Sequence, residues 1–199
     1  VGDDRVWGKA LDDRVGCAAL LEILRGEYPV PVAGVFTVQE EVGLRGARVA
    51  AYRLAPALAL VLEGTVCADL PGREPHEEGT RLGGGAVLSV MDRSSIAHPL
   101  LVRALAELAG RHGIPYQWRR TAMGANDAGE IHTSRGGVPS ASVSVPCRYI
   151  HGPAALASVR DLEAVVRLVS VFLQELPGSG LMERLQGEGR CGDGPWPKR

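Results

Sequence analysis

Apolar positions along the chain switch between two periods. Over residues 14–25, Val15, Ala18, Ala19, Leu20, Leu21, Ile23 and Leu24 cover most of a helical circumference, which predicts a largely buried helix, with Gly26 as its stop. Val32 to Val38 is rich in β-branched residues and follows Pro29 and Pro31, so it reads as a buried strand. Residues 45–54 suit a short helix and Leu58 to Leu62 a short strand. Pro71 to Gly85 is rich in glycine and charge and reads as a loop. Ala86 to Met91 is the next strand. Leu100, Leu101, Ala104, Leu105 and Leu108 then recur at helical spacing over 99–112, between Pro99 and Gly113. Tyr116 to Arg119 is a short strand, and Ser140 to Val145 alternates serine with apolar residues, as a strand does. Residues 157–175 carry the clearest amphipathic helix, and 181–199 read as a flexible tail after a domain spanning 1–180.

Strands alternating with helices predict an α/β fold, a three-layer α-β-α sandwich around a mixed sheet. Functional side chains of such sheets collect at the carboxyl ends of strands. Glu40, Glu41, Glu63 and His151 each fall at or just after the end of a predicted strand or apolar run.

Composition narrows the function classes. The 199 residues are 45% hydrophobic and 23% charged, and 22 basic against 23 acidic residues leave a net charge of −1. That balance gives no nucleic-acid footprint. No apolar run approaches the roughly 20 residues of a membrane span, and no signal peptide is visible, so the expected setting is cytoplasmic. Cys17, Cys67, Cys147 and Cys191 form no C-x-x-C pair. The first three sit in or beside apolar segments and read as small buried hydrophobes, which fits a reducing compartment.

The candidate chemistry is acidic. Asp12-Asp13-Arg14 precedes a helix, where it reads either as a cap with a dipole-compensating acid or as a metal-bridging carboxylate supported by its neighbours. Glu40-Glu41 reads either as a solvated pair or as a divided pair, one carboxylate binding metal and the other taking a proton. Glu63 is followed by Gly64, which permits close backbone approach. His151 is an imidazole candidate, while His76, His98 and His112 have no comparable setting and His132 is at most a supporting residue. Gly124 to Gly129 is a polar, glycine-containing loop without the Lys-Ser/Thr ending of a phosphate cradle. Polysaccharide hydrolysis by a carboxylate pair fits poorly, because adjacent Glu40 and Glu41 point apart and His151 has no part in it.

Six ordered segments together resemble the tetrahedral (TET) aminopeptidases, also called glutamyl or deblocking aminopeptidases. They are Lys-Ala-Leu-Asp-Asp-Arg-Val-Gly (9–16), Thr-Val-Gln-Glu-Glu-Val-Gly-Leu-Arg-Gly-Ala (37–47) and Leu-Glu-Gly-Thr-Val-Cys-Ala-Asp-Leu-Pro-Gly (62–72). Val-Met-Asp-Arg-Ser (90–94), Asn-Asp-Ala-Gly (126–129) and Val-Pro-Cys-Arg-Tyr-Ile-His-Gly-Pro (145–153) complete the set. The resemblance implies a zinc-exopeptidase-like fold and a peptidase with two divalent metal ions, zinc or cobalt. It implies Asp12 as the bridging ligand, Glu41 and His151 at one ion, Glu63 at the other and Glu40 as general base. Family members carry Asp or Glu at the position of Glu63. Asn126 and Asp127 would line the substrate pocket, Asp13 and Arg14 would support the ligands, and the peptide after Asp12 would be cis. Peptides would be the substrates, and intact members form homo-oligomeric cages.

One departure is large. The family's remaining metal ligand is a His in an upstream His-x-Asp motif, separated from the Asp-Asp-Arg segment by a dimerisation domain, and neither occurs here. The chain is expected to correspond to the C-terminal catalytic portion of a member. The ion on the Glu63 side is expected to bind weakly in it, so a catalytically inactive structural or interaction domain is the alternative.

Overall fold

A computed structural model describes residues 4–72 and 79–188. Its elements follow in order β1 (Arg5–Gly8), α1 (Leu11–Ile23), α2 (Arg45–Leu54), β2 (Ala59–Val66), β3 (Ala86–Leu88), α3 (Pro99–Arg111) and β4 (Tyr116–Trp118). Then come α4 (Ala128–Ile131), β5 (Ser140–Arg148), β6 (Ala155–Ser158), α5 (Val159–Glu175), a 3₁₀ turn (Leu176–Ser179) and α6 (Leu181–Glu188).

The sheet is built around β5. β2 runs parallel along one edge of it, from Ala59 opposite Ser140 to Val66 opposite Cys147. The other edge is shared: β3 pairs antiparallel at Val143 and Ser144, and β6 antiparallel at Cys147 and Arg148. β4 joins β3 in parallel and β1 joins β6 antiparallel, so the sheet is mixed, as expected.

The serine alternation in β5 sorts its two faces. Ala141, Val143, Val145 and Cys147 enter the hydrophobic core with Val15, Ala19 and Ile23 of α1 and Val165, Leu168 and Phe172 of α5. Ser142 and Ser144 turn to the opposite face, where they hydrogen-bond Asn126 and Glu63. The apolar face is covered by α1, α3 and α5. α4 packs on β2 and β5, with α2 behind it. No helix among the described residues is long and apolar enough to cross a membrane.

Several sequence expectations are corrected. Val32 to Val38 is irregular rather than a buried strand, and Phe36 and Val38 are 49% and 66% exposed. β-branched residues favour a pleated surface only where a neighbouring strand completes it. This segment has no strand partner among the described residues; it is tied instead by the Gly46 N–H to the Val38 carbonyl. The helix over 14–25 buries one stripe, Leu11, Val15, Ala19 and Ile23, and leaves Leu21 and Leu24 exposed. Cys17 lies on that open side and is exposed, whereas Cys67 and Cys147 are buried. β2 continues past Leu62 to Val66, so Glu63 lies inside a strand rather than after one. Within the expected tail, residues 181–188 form α6, anchored by buried Leu181 and Leu185; residues 189–199, Cys191 among them, lie outside the described residues.

Candidate metal and catalytic site

Three separate segments bring acidic groups, and a fourth an imidazole, to one cleft of about 460 Å³ lined by Asp12, Glu40, Glu41, Glu63 and His151. A larger groove of about 530 Å³ beside α3 and β4 has only Arg103 and Glu107 as charged lining and no imidazole. Size therefore does not pick out the site; donor chemistry does.

Asp12 stands at the start of α1 in non-helical geometry, with a cis peptide to Asp13, as the resemblance implied. It packs against β2 at Gly64, where an added Cβ would lie 3.2 Å from the Asp12 Cβ. The Asp13 Oδ1 accepts N–H bonds from Gly16 at 2.9 Å and Gly64 at 3.1 Å, which clamps the segment between helix and strand. Arg14 is exposed and has no polar side-chain partner among the described residues, so it does not touch the carboxylates it was expected to support.

His151 follows β5 in a turn that puts its own φ at 63°. Its Nε2 lies 3.2 Å from Asp12 Oδ2 and 3.6 Å from Glu41 Oε1. Donor atoms of Asp12, Glu41 and His151 all fall within 4.8 Å of one another. Asp12 is mostly enclosed, whereas the Glu41 and His151 side chains are 61% and 64% exposed.

Glu63 points from β2 to the serine face of the sheet, where its Oε1 accepts from Asn126 Nδ2 at 3.0 Å and from Ser144 Oγ at 3.2 Å. Asn126 is 1% exposed and sits behind Glu63, while Gly124 and Ala125 of the same loop reach the cleft. Asp127 is 7% exposed; its Oδ2 accepts the Thr37 hydroxyl at 2.6 Å and its Oδ1 is buried without a partner. The Thr37 contact holds the loop that carries Glu40 and Glu41 against the start of α4. His132 bonds the Ala128 carbonyl through Nδ1 at 2.8 Å. His76 lies outside the described residues.

Crowding of like charges sets the electrostatics. Burial raises the Glu40 carboxyl to about 7, and Glu41, Asp127 and Asp12 push the same way while His151 opposes them. Asp13 is also raised to about 7, chiefly by desolvation, against its backbone N–H bonds. Asp12 is raised by burial and by Glu41, and Glu63 is raised well above the usual carboxylate range, again first by burial. Carboxylates packed this closely repel in their charged forms, and a divalent cation relieves that repulsion. One imidazole with oxygen donors suits zinc or a similar ion, so the residues fit the expected group.

Sequence reasoning missed Asp92, Ser144, Thr37 and Arg119. Arg119 lines the cleft and its charge acts on Glu63. The alternating serines were the available signal for Ser144, and the Asp-x-Ser-Ser turn at 92–95 that for Asp92. Thr37 opens the segment 37–47 that carries part of the resemblance, and Arg119 gave no signal.

Fold and cleft together define an α/β protein with an acidic cluster and one imidazole at the edge of a mixed sheet. The family model for M42 glutamyl aminopeptidases matches residues 1–168, and the chain belongs to that family. A relative in Acetivibrio thermocellus is 42% identical over 168 residues, covering 83% of this chain and 50% of the relative. The solved aminopeptidase APDkam598 of the archaeon Desulfurococcus kamchatkensis superposes with a TM-score of 0.90 at 37% identity, over 94% of this chain and 53% of that one. The Pyrococcus horikoshii TET1 peptidase, described as assembling into a tetrahedron or a large octahedral shell, matches at 30% identity and a TM-score of 0.74, over 88% of this chain and 52% of its own. The chain spans about half the length of the curated relatives it matches.

Proposed function

We propose that this chain carries the catalytic residues of a metallo-aminopeptidase that releases N-terminal residues from peptides. One observation carries the reading: Asp12, Glu41 and His151 converge within 4.8 Å in a cleft they share with Glu40, a carboxyl raised to about 7. Asp12, Glu41 and His151 would hold one divalent ion, and Asp12 with Glu63 a second, zinc or cobalt in each case. Such ions, when bound, polarise the scissile carbonyl and lower the pKa of the attacking water. Glu40 accepts the proton of that water and returns it to the leaving amine, a task suited to a group titrating near the working pH. Asp13 holds Asp12 in place through the backbone of Gly16 and Gly64. Asp127 would back the substrate pocket rather than line it, holding the loop of Glu40 and Glu41 in place through the Thr37 hydroxyl. Assembly into homo-oligomers is part of the same proposal, supported by the shells of the TET1 peptidase.

Glu40→Gln is the test. It removes the proton acceptor and leaves every proposed ligand, so kcat on an aminoacyl chromogenic substrate should fall by about 10²–10⁴, with metal content unchanged. Turnover within a few-fold of the parent protein would refute the assignment.

A further inference from the structure

Behind Glu63 lies a chain of buried polar groups that none of the proposed catalytic steps uses. Asp92 is 6% exposed and anchors it. The Asp92 Oδ1 accepts the N–H groups of Ser94 at 2.7 Å and Ser95 at 2.8 Å, with both serine hydroxyls in addition. Its Oδ2 accepts from Asn126 Nδ2 at 3.0 Å, the same nitrogen that donates to Glu63 Oε1 at 3.0 Å.

The orientation of the Asn126 amide is determined by its other side. Oδ1 accepts the Ala128 N–H at 2.8 Å and the Ser142 hydroxyl at 3.2 Å. A backbone N–H meets only an acceptor, so the amide nitrogen must face the two carboxylates. A flipped amide would set its oxygen against both of them and its NH₂ against the Ala128 N–H. All four hydrogen-bonding positions of this side chain are thus occupied, at 1% exposure. A fully satisfied buried network of this kind is rigid.

The consequence falls on Glu63. Its Oε1 carries two hydrogen bonds, from Asn126 and Ser144, and no donor among the described residues reaches Oε2. We infer that Asp92 and Asn126 are positioning residues, which fix the Glu63 carboxylate through Oε1 so that Oε2 alone is presented to the cleft as a single-oxygen ligand. This rests on the reading of Glu63 as a metal ligand. Outer partners that orient a ligand in this way are worth about 10–100-fold in metal affinity.

Asp92→Asn tests the inference in the intact protein. The four donors from Ser94 and Ser95 demand an oxygen, so the new amide would turn its NH₂ toward Asn126 and oppose donor to donor. Metal-free protein is titrated with Zn²⁺ against a chelating dye, as parent, Asp92→Asn, Glu63→Gln and the double variant. The affinity read is that of the second zinc equivalent, the one assigned to Glu63: the expected result is a loss of about 10–100-fold for Asp92→Asn, a comparable or larger loss for Glu63→Gln, and no further loss in the double variant. Unchanged affinity in Asp92→Asn, or losses that multiply in the double variant, would overturn the inference while leaving Glu63 a ligand. Unchanged affinity in Glu63→Gln would overturn the ligand reading and the inference with it. If circular dichroism finds Asp92→Asn unfolded, Asn126→Ser takes its place. That change removes the bridge, keeps the Asp92 turn, and must give the same loss and the same lack of additivity.

Discussion

Gly64→Ala probes the contact on which the proposed site depends. Gly64 lies in β2 directly against Asp12. A Cβ there would stand 3.2 Å from the Asp12 Cβ, 3.3 Å from its Cα and 3.4 Å from its Oδ1. Carbon–carbon contacts are most favourable at about 3.5–4.0 Å, so Asp12 or the strand must yield by about 0.3–0.5 Å. Removing a strand-interior glycine contributes about 0.5–1 kcal/mol, and the forced overpacking costs about 1–3 kcal/mol. The net loss, about 0.5–2 kcal/mol, corresponds to about 1–8 °C in the thermal midpoint of a chain this size. Stability is the smaller effect. Ligand groups need placement to within about 0.5 Å, and the displaced residue is the one proposed to bridge both ions. The forced shift reaches that limit, so zinc affinity should fall by about tenfold. Gly8→Ala is the matched control, because its added Cβ meets only the Leu11 side chain at 3.4 Å. Thermal unfolding of the metal-free proteins followed by zinc titration separates the two effects. Parent-like zinc affinity in Gly64→Ala would refute both the packing argument and the placing of Asp12 at the metal.

Two further outcomes are expected. Asp13 and Glu40 are raised to about 7, and Asp12 and Glu63 are raised as well, so the folded metal-free protein keeps protons that the unfolded chain gives up near pH 4. The contribution of these four groups to its stability is greatest below that range and is lost as pH rises through about 7, whereas zinc must displace those protons and binds more tightly over the same window. The zinc-induced rise in thermal midpoint should grow from about pH 5 to about pH 8, and a rise that is flat or shrinks would contradict the assignment. Asp161 of α5 is 1% exposed and accepts the N–H groups of Gly83 and Gly85, each at 2.7 Å. Asp161→Ala leaves the buried Gly85 N–H unmatched and frees the exposed Gly83 N–H to water, and should cost about 1–3 kcal/mol in urea unfolding, with a loss under about 1 kcal/mol counting against the pin.

What could be read from the sequence divides along physical lines. The long helices and β5 announce themselves because their periodicity reflects one-sided burial, and the serine face of β5 even marks where polar partners sit. Val32 to Val38 misled because β-branched content reports fitness for a pleated surface, while pairing depends on a neighbour elsewhere in the chain. β1 and β6 are four residues each, too short for any period to register, and they are defined by their pairing with each other. Among the candidate site residues, the carboxylates and His151 could be named from the sequence because chemistry limits which side chains can bind metal, and the fold brings them to one cleft. Asn126 was legible only as part of a motif, and its buried station behind Glu63 needed the fold.

The site residues are held with unequal firmness, and that inequality follows from what carries them. Glu63 projects from a strand paired along its whole length, with one oxygen doubly bonded to buried donors. Asp12 is wedged against Gly64, and its neighbour Asp13 is bonded to two backbone N–H groups. Glu41 and His151 sit on connecting segments with most of their side chains in solvent, and their polar contacts are with Asp12 and with each other. The first pair is therefore preorganised, and the second is left to be ordered by the proposed cation. Placing the costly, desolvated carboxylates on the rigid frame confines their repulsion to positions that packing can hold. With the imidazole and the second carboxylate on loops, closing onto the proposed cation would not disturb the core. The network through Asn126 and Asp92 belongs to the rigid half, which is why a change at Asp92, remote from the cleft, is expected to be felt at Glu63 rather than at His151.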